Sequence, residues 1–272
     1  MIKIIVHNGK AHQDDFLASC VCCYKLGANS ELFRTPHTEE HLKDANCWVL
    51  DQGRKFEPEL HNFDHHHIEQ EVCSFTMILD YFYQSKYRQY LPQLRFLEIF
   101  DSYGPIKAAE FVGMPPENID YVYSPINSSI IGMFSRIEGK VDGPILEIMR
   151  QMGEEICKQI ENMDFMIGLL DQSSFFEYRE IKILDVTRCT IPEHIKHDQL
   201  PTKIYSKIKG INPEIILTKD SRQNGFRMVS INTNSLKFLN NELSYFTHNS
   251  GFLTGFKKYD DYRQILDNYI VR

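Results

Sequence analysis

Three short strand-like runs in the first 67 residues each end at histidine or aspartate. The runs cover Ile2–Val6, Cys47–Leu50 and residues 61–63. Short apolar runs bounded by polar residues are typical of buried parallel strands. In an open α/β sheet the ligand crevice lies beyond the carboxyl ends of the strands, so polar clusters distant in sequence should meet there. The pattern therefore predicts an α/β fold with one polar site at the edge of a parallel sheet.

Histidines are concentrated in the same region. Eight of the eleven lie in the first 67 residues, where an even spread along the chain would place roughly three. Imidazole groups close to carboxylates are the usual donors of a metal site. We therefore expect the amino-terminal part of the chain to carry the chemistry.

Composition limits the classes of protein and partner. A chain of 272 residues exceeds the roughly 100 to 200 residues of one domain, which favours two. The net charge of −7 gives no basic field for a long phosphate backbone, so long duplex DNA is not an expected partner. Seven cysteines without repeated spacing argue against a disulfide framework and favour a reducing, cytoplasmic location. Neither a signal peptide nor a membrane-length apolar run is visible, so no membrane partner is expected.

Hydrophobic periodicity predicts helices over residues 16–26, 75–90, 93–101 and 143–170. The last carries an apolar stripe from 145 to 170, which we interpret as core or as the seam of a homodimer. Residues 181–186, 213–218 and 226–231 have strand character, and the last two are joined by a turn containing Asn224-Gly225. We predict an amino-terminal domain of residues 1–171, which includes the connecting helix, and a smaller α/β domain of residues 172–272.

The first polar cluster is His7-Asn8-Gly9-Lys10-Ala11-His12-Gln13-Asp14-Asp15. Its imidazole and carboxylate groups suit Mn²⁺, Fe²⁺ or Zn²⁺, and Gly9 lets the loop fold back so that both of its sides reach one point. The alternative is a polar loop that only caps a helix. Taken alone, the cluster leaves both interpretations open.

The other two clusters differ in strength. A single aspartate at a strand end, as at Asp51, is usually a turn or cap residue. Asp64-His65-His66-His67 is stronger, because an acid followed by three imidazoles is costly to desolvate unless a metal or a phosphate uses them. A ligating histidine normally donates its other N–H to a carboxylate, which gives Asp64 a supporting role.

Four motifs in this order resemble the DHH phosphoesterase superfamily. They are HNGKAHQDD, VLDQG, FDHHH and IFDSYGP, and the HNG-x-x-H-x-D opening is similar to the Myg-type exonuclease branch of that superfamily. Most of the superfamily has an aspartate at the position of His12, whereas the Myg-type branch has a histidine there, as this chain does. Residues 248–255, HNSGFLTG, resemble the H-x-x-GF-x-x-G loop of the same branch. The resemblance implies a parallel-sheet DHH-type amino-terminal domain with a smaller α/β substrate-binding domain.

The resemblance also implies a site for two divalent ions, usually Mn²⁺, with Mg²⁺ and Zn²⁺ as alternatives. The implied ligands of one ion are His7, His12 and Asp51, and those of the other are Asp14, Asp51, His65 and Asp101, so that Asp51 bridges. Two ions about 3.5 to 4 Å apart can lower the pKa of a bridging water and clamp the attacking and leaving oxygens at phosphorus.

The expected catalytic residues are His66 and Asp64, with His66 stabilising the scissile phosphate or protonating the leaving oxygen. The expected substrate-binding residues are Arg136, Arg227, His248 and Gly251. Either arginine could clamp a phosphate in a bidentate manner, and a generic surface arginine is the alternative. No role is assigned to His67.

The expected function is therefore a metal-dependent phosphodiesterase or 3′–5′ exonuclease. Its expected substrates are short oligonucleotides or cyclic (di)nucleotides, hydrolysed to 5′-mononucleotides. One alternative is an inorganic pyrophosphatase, although the second domain lacks the Arg and Lys cluster that its substrate would need. A non-catalytic metal or nucleotide sensor and a mononuclear zinc hydrolase are the others. His37 and His41, spaced by four, are expected on a solvated helix face.

Overall fold

A computed structural model describes residues 1–122 and 124–272 of the chain. Contacts divide the chain into two compact units, Met1–Glu161 and Asn162–Arg272. Each unit contains its own sheet and helices. The predicted α/β class is therefore confirmed, and the domain limits of 1–171 and 172–272 stay a prediction.

The first unit is built on a six-stranded sheet in the order β4-β5-β3-β1-β2-β6. Its strands are β1 (Ile2–Val6), β2 (Ser30–Arg34), β3 (Cys47–Leu50), β4 (Phe56–Glu57), β5 (Asn62–Phe63) and β6 (Gly139–Val141). The four central strands, β2, β1, β3 and β5, are parallel, and each edge strand is antiparallel to its neighbour. The carboxyl ends of β1, β3 and β5 therefore lie at one edge of the sheet, as the sequence predicted.

The α-helices of the described part of this unit are α1 (Gln13–Leu26), α2 (Ser74–Tyr83), α3 (Leu94–Phe111), α4 (Pro125–Ser135) and α5 (Gly143–Glu161). Helix α2 ends at Tyr83, seven residues before the predicted end. Helix α3 runs past the predicted end at residue 101 and is kinked at Gly104, whose φ is 81°, just before Pro105.

Helices α1 and α5 pack closely against each other at Gly153. A Cβ atom at that position would lie 2.0 Å from the carbonyl oxygen of Cys20. Only glycine permits this approach, which places the backbone of α5 against the helix that carries Asp14 and Asp15.

The second unit contains α6 (Met163–Leu170), α7 (Thr202–Lys209) and α8 (Asp261–Asn268). Its main sheet has the order β12-β13-β10-β9-β8-β7, and β11 pairs with β14 separately. These strands are β7 (Ser174–Tyr178), β8 (Ile181–Asp185), β9 (Ile215–Asp220), β10 (Gly225–Ser230), β11 (Lys237–Phe238), β12 (Ser244–Thr247), β13 (Leu253–Phe256) and β14 (Ile270–Val271). The predicted hairpin is formed by β9 and β10, with Gly225 opposite Asp220.

The prediction of one helix over residues 143–170 is wrong. Helix α5 ends at Glu161 and α6 begins at Met163, with Asn162 between them. Buried positions nevertheless continue across this break, from Cys157 and Ile160 in α5 to Met163 and Leu170 in α6. The stripe therefore concealed the boundary between two helices.

All seven cysteines are free and buried. Over the described residues, no helix combines the length and the apolar character needed to cross a lipid bilayer.

Candidate metal centre

The loop from β1 to α1 presents its polar groups from both sides of a tight turn. Gly9 adopts a φ of 84°, a conformation that favours glycine. His12 is the N-cap of α1, and its backbone N–H donates to Oδ1 of Asp15 at 3.0 Å. Asp14 and Asp15 follow in the first turn, where acids interact favourably with the helix dipole, and both are buried.

A buried arginine on β2 fixes this loop from behind. Nη2 of Arg34 donates to the carbonyl oxygens of His7 at 3.1 Å and Gly9 at 2.9 Å, and Nη1 donates to that of Phe134 at 2.6 Å. The side chain of Arg34 is fully buried. The two hydrogen bonds to residues 7 and 9 hold the backbone of this loop against strand β2, so the position of His7 depends on that strand.

His7 lies between two buried carboxylates. Its Nε2 is 2.9 Å from Oδ2 of Asp15 and 3.4 Å from Oδ2 of Asp51. Two hydrogen bonds raise the pKa of His7 to about 10, and the one to Asp15 contributes more than the one to Asp51. Protonated His7 carries a positive charge that offsets the negative charge of these carboxylates. A bound metal ion would offset the same charge.

Asp51 lies at the end of β3 in a strained backbone conformation with a φ of 54°, which costs about 1 to 3 kcal/mol. Its N–H donates to the carbonyl oxygen of Phe63 at 3.0 Å, and Ser74 Oγ lies 3.0 Å from its Oδ1. Burial opposes ionisation of Asp51, but hydrogen bonds from His65 and His7 lower its pKa below the usual range. The carboxylate is thus held ionised between the two histidines.

His65 extends the cluster towards helix α3. Its Nε2 is 2.8 Å from Oδ2 of Asp101 and 3.3 Å from Oδ1 of Asp51. Burial alone would lower the pKa of His65, but the carboxylates of Asp101 and Asp51 raise it to about 10. The kink of α3 at Gly104 follows three residues after Asp101.

Three overlapping groups of potential ligands result, and in each group the donor atoms lie within 4.8 Å of one another. They are His7, His12 and Asp51; Asp51, His65 and His66; and His12, Asp14 and Asp101. Asp51 and His12 each belong to two of the groups. All six residues predicted as metal ligands are therefore brought together, and the division of these ligands between two ions stays a prediction.

Asp14 tests whether these residues fit a cation. Within the described part of the chain, neither of its carboxylate oxygens has a hydrogen-bond partner, and both are buried. Burial, and then the negative charges of Asp51 and Asp101, raise its pKa well above the usual value. A buried carboxylate without a donor is costly unless a cation compensates it. The imidazole and carboxylate donors around it are those of sites for Mn²⁺, Fe²⁺ or Zn²⁺, so the residues fit a divalent metal.

Asp64 holds His66. Its Oδ1 accepts the backbone N–H of His66 at 2.9 Å and lies 2.7 Å from Nδ1 of the same residue, while Oδ2 accepts the N–H of Arg54 at 2.7 Å. Asp64 is buried and His66 is exposed. The carboxylate raises the pKa of His66 and fixes its ring beside the metal ligands.

The predicted substrate-binding residues lie in both units. In the first, Arg136 is the exposed C-cap of α4. In the second, Arg227 lies on β10, its Nη2 3.4 Å from Oδ2 of Asp198, and Nδ1 of the exposed His248 is 2.9 Å from Ser250 Oγ. Gly251 has a φ of 72°, and a Cβ there would lie 2.9 Å from the carbonyl oxygen of Phe238. Packing therefore requires this glycine, and its contact with substrate stays a prediction.

Sequence reasoning missed several residues that support the site. The sequence predicts no individual role for Asp15, and nothing in the pattern singles out Arg34 or Ser74. His37 was placed on a helix face, which is wrong, because it lies in a loop where its N–H donates to Oε1 of Gln52 at 2.9 Å. It lines a small pocket with His66.

Comparison with solved structures gives a match to a pGpG-specific phosphodiesterase, PggH, from Vibrio cholerae. The two chains are 11% identical, the match covers 98% of this chain and 97% of that chain, and the TM-score is 0.32. The search of curated proteins found no match.

Comparison with protein families gives a match to MYG1_exonuc, described as an uncharacterised protein family (UPF0160), over residues 3–81. This segment includes every predicted metal ligand except Asp101. The match supports the predicted class of enzyme, a hydrolase of phosphoester bonds. Over residues 3–81 the resemblance to the Myg-type family is confirmed.

Proposed function

We propose that this protein is a metal-dependent phosphodiesterase that hydrolyses short oligonucleotides or cyclic (di)nucleotides to 5′-mononucleotides. The observation that carries the proposal is the convergence of six imidazole and carboxylate ligands, one of which, the buried acid Asp14, has no hydrogen-bond donor among the described residues. Burying such a cluster of acids is costly in the absence of a cation, and bound cations would compensate its negative charge.

The proposed ligands of one ion are His7, His12 and Asp51, and those of the second are Asp14, Asp51, His65 and Asp101. When bound, a pair of divalent ions supplies positive charge to the phosphoryl oxygens and acidity to a water molecule. We assign Mn²⁺ as the metal, on the donor set and the family resemblance.

His66 and Asp64 act on the leaving group. Nδ1 of His66 is hydrogen-bonded to Asp64. The other ring nitrogen, Nε2, is therefore the one that we assign to the substrate. A protonated imidazole there donates its proton to the leaving oxygen, and the carboxylate of Asp64 keeps the ring in position and favours the charged form.

Substrate size follows from charge. The net charge of −7 provides no extended basic surface, so attraction of phosphate must be local. We assign Arg136, Arg227, His248 and Gly251 as substrate contacts, because guanidinium and backbone N–H groups bind phosphate oxygens. A few local contacts suit a short substrate rather than a long duplex.

The test is a hydrolysis assay on protein freed of metal and reloaded with Mn²⁺, Mg²⁺ or Zn²⁺. The substrates are a linear dinucleotide, a cyclic dinucleotide, single-stranded RNA and DNA, and pyrophosphate. We expect Mn²⁺-dependent release of 5′-mononucleotides that is lost in Asp51→Asn and His65→Ala. Wild-type turnover in those two variants would show that the assigned site is wrong, and cleavage of pyrophosphate alone would show that the substrate class is wrong.

A further inference from the structure

A cavity of about 1240 Å³ lies beside the metal ligands in the first unit. Helices α1 to α5 contribute to its lining, which is mainly apolar and includes Phe75, Phe96, Phe100 and Ile131. Two of the proposed metal ligands, His12 and Asp101, also line it. Nothing in the proposed hydrolysis explains an apolar cavity of this size next to a cluster of acids.

We propose that this cavity binds a nucleobase of the substrate, an inference that rests on the proposed function. A phosphodiester of nucleosides has an anionic reacting group that a sugar connects to a flat aromatic base. The acids and histidines, once loaded with cations, suit the first part, and the adjoining apolar cavity suits the second.

The lining supplies what a base requires. Phe96 and Phe100 are half-buried, with ring centroids 6.0 Å apart, so each keeps part of its surface exposed for stacking. Polar side chains at Gln13, Asn127 and Ser128 are exposed and line the same cavity. Aromatic surfaces with a few hydrogen-bonding groups are the usual means of holding a base.

The shared residues identify the occupant. A protein segment seated permanently in the cavity would cover His12 and Asp101 and close the proposed metal site to substrate. The cavity exceeds the roughly 300 to 1,000 Å³ of ordinary ligand pockets, so it has room for a base with its sugar. The occupant is therefore part of the substrate itself.

Gly132 on α4 offers a way to fill the cavity. A Cβ atom added there would meet only Nη1 of Arg136, at 3.9 Å, and the residue has no positive φ. Gly132 lines the cavity, so Gly132→Phe adds a ring at the cavity wall without backbone strain. Gly168 on α6 also has no atom within 4 Å of an added Cβ, so Gly168→Phe is a matched control that lies outside the cavity.

The first measurement compares the dinucleotide d(ApA) with an analogue in which both bases are replaced by hydrogen. We expect the wild type to have a higher kcat/KM for d(ApA), by about five-fold to about 150-fold, because stacking favours each base to that extent. Gly132→Phe should reduce this ratio towards one, and Gly168→Phe should preserve it. Equal kcat/KM values for the two substrates in the wild type, or a proportional loss of both in Gly132→Phe, would overturn the inference.

The second measurement needs no hydrolysis. Binding of adenosine to the metal-free protein is followed by equilibrium dialysis, with decanol as an apolar competitor. Binding that is weakened at least about five-fold by Gly132→Phe and kept in Gly168→Phe supports the inference even if no dinucleotide is hydrolysed, in which case the proposed function alone fails. Binding of decanol but not adenosine, or adenosine binding that Gly132→Phe leaves unchanged, would overturn it. Circular dichroism of both variants establishes that they are folded.

Discussion

Both units bury aspartates at the ends of strands, but they compensate them differently. In the second unit, Asp185 accepts hydrogen bonds from Thr187 and from the hydroxyl of Tyr259 at 2.6 Å. Asp220 accepts from the N–H of Arg222 and from the hydroxyl of Tyr245 at 2.7 Å. In the first unit, Asp51 is surrounded by histidines and other acids, and Asp14 has no donor within the described residues.

Burial of an acid therefore does not identify a functional site by itself. Burial opposes ionisation of Asp220, but the hydrogen bonds of Tyr245 and Arg222 lower its pKa below the usual value. Asp14 is buried more deeply, so burial raises its pKa, and the negative charges of Asp51 and Asp101 raise it further. Protein hydrogen-bond donors satisfy Asp220, whereas Asp14 has none among the described residues, and this difference can be tested by changing one acid at a time.

The largest effect is expected for Asp51→Asn. Loss of one carboxylate oxygen and of the negative charge removes a ligand from both proposed ions, so kcat should fall by at least about 100-fold. Asp185→Asn is the matched control, since it alters a buried strand-end acid that neutral donors satisfy. That control should lower the free energy of unfolding while turnover of the folded protein persists. Loss of turnover in Asp185→Asn equal to that in Asp51→Asn would end the distinction between the two units.

Asp64→Asn should have an intermediate effect. The amide lacks the negative charge that holds the His66 ring in place and stabilises its protonated form. We therefore expect kcat to fall by about 10- to 100-fold. Bound metal, measured by elemental analysis, should remain at the wild-type level, because Asp64 contacts His66 and is not one of the proposed metal ligands. The double variant with His66→Asn should be no slower than His66→Asn alone. Additive losses would mean that Asp64 acts elsewhere.

Asp14→Asn should change stability in opposite directions with and without metal. Removing a buried charge without a donor should stabilise the metal-free protein by about 1 to 2 kcal/mol. It should also reduce the rise in Tm produced by Mn²⁺, because a ligand is lost. Asp220→Asn should destabilise the protein under both conditions. Thermal unfolding scans measure the Tm of each of the two variants with and without Mn²⁺. A metal-free Asp14→Asn that is less stable than the wild type would contradict the interpretation of Asp14 as uncompensated.

The smallest effect is expected for Tyr259→Phe. The variant removes one neutral donor from Asp185, which should cost about 1 kcal/mol in the free energy of unfolding. Urea denaturation measures this value. Turnover and metal content should match the wild type, and an altered metal content would show that the acids of the second unit also belong to a metal site.

Part of this arrangement was predictable from local pattern. The strands Ile2–Val6 and Cys47–Leu50 have the bounds that the sequence predicted, because each is a mainly apolar run that is followed by a polar residue. The parallel pairing of β1, β3 and β5 then brings the predicted ligands to one edge. Asp101 could be included only through the motif resemblance, since it lies on a helix and not at a strand end.

Other features depend on contacts between distant segments. Strand Ser30–Arg34 was missed because its charged residues disguise a central strand, and the carbonyl groups that pair with Arg34 come from residues 7, 9 and 134. One of the hydrogen bonds that distinguish Asp185 from Asp14 comes from Tyr259, 74 residues away. No local pattern shows whether an acid will find such a donor.

The buried cysteines have a practical consequence. Each side chain is at most 2% exposed, and burial raises the pKa of Cys23 to about 12 and that of Cys189 to about 11. Thiolate is the reactive form, so alkylating reagents should leave the folded chain unmodified. A single cysteine introduced on the surface could then carry a spin label alone, and its distance to a paramagnetic ion would locate the ion without a crystal.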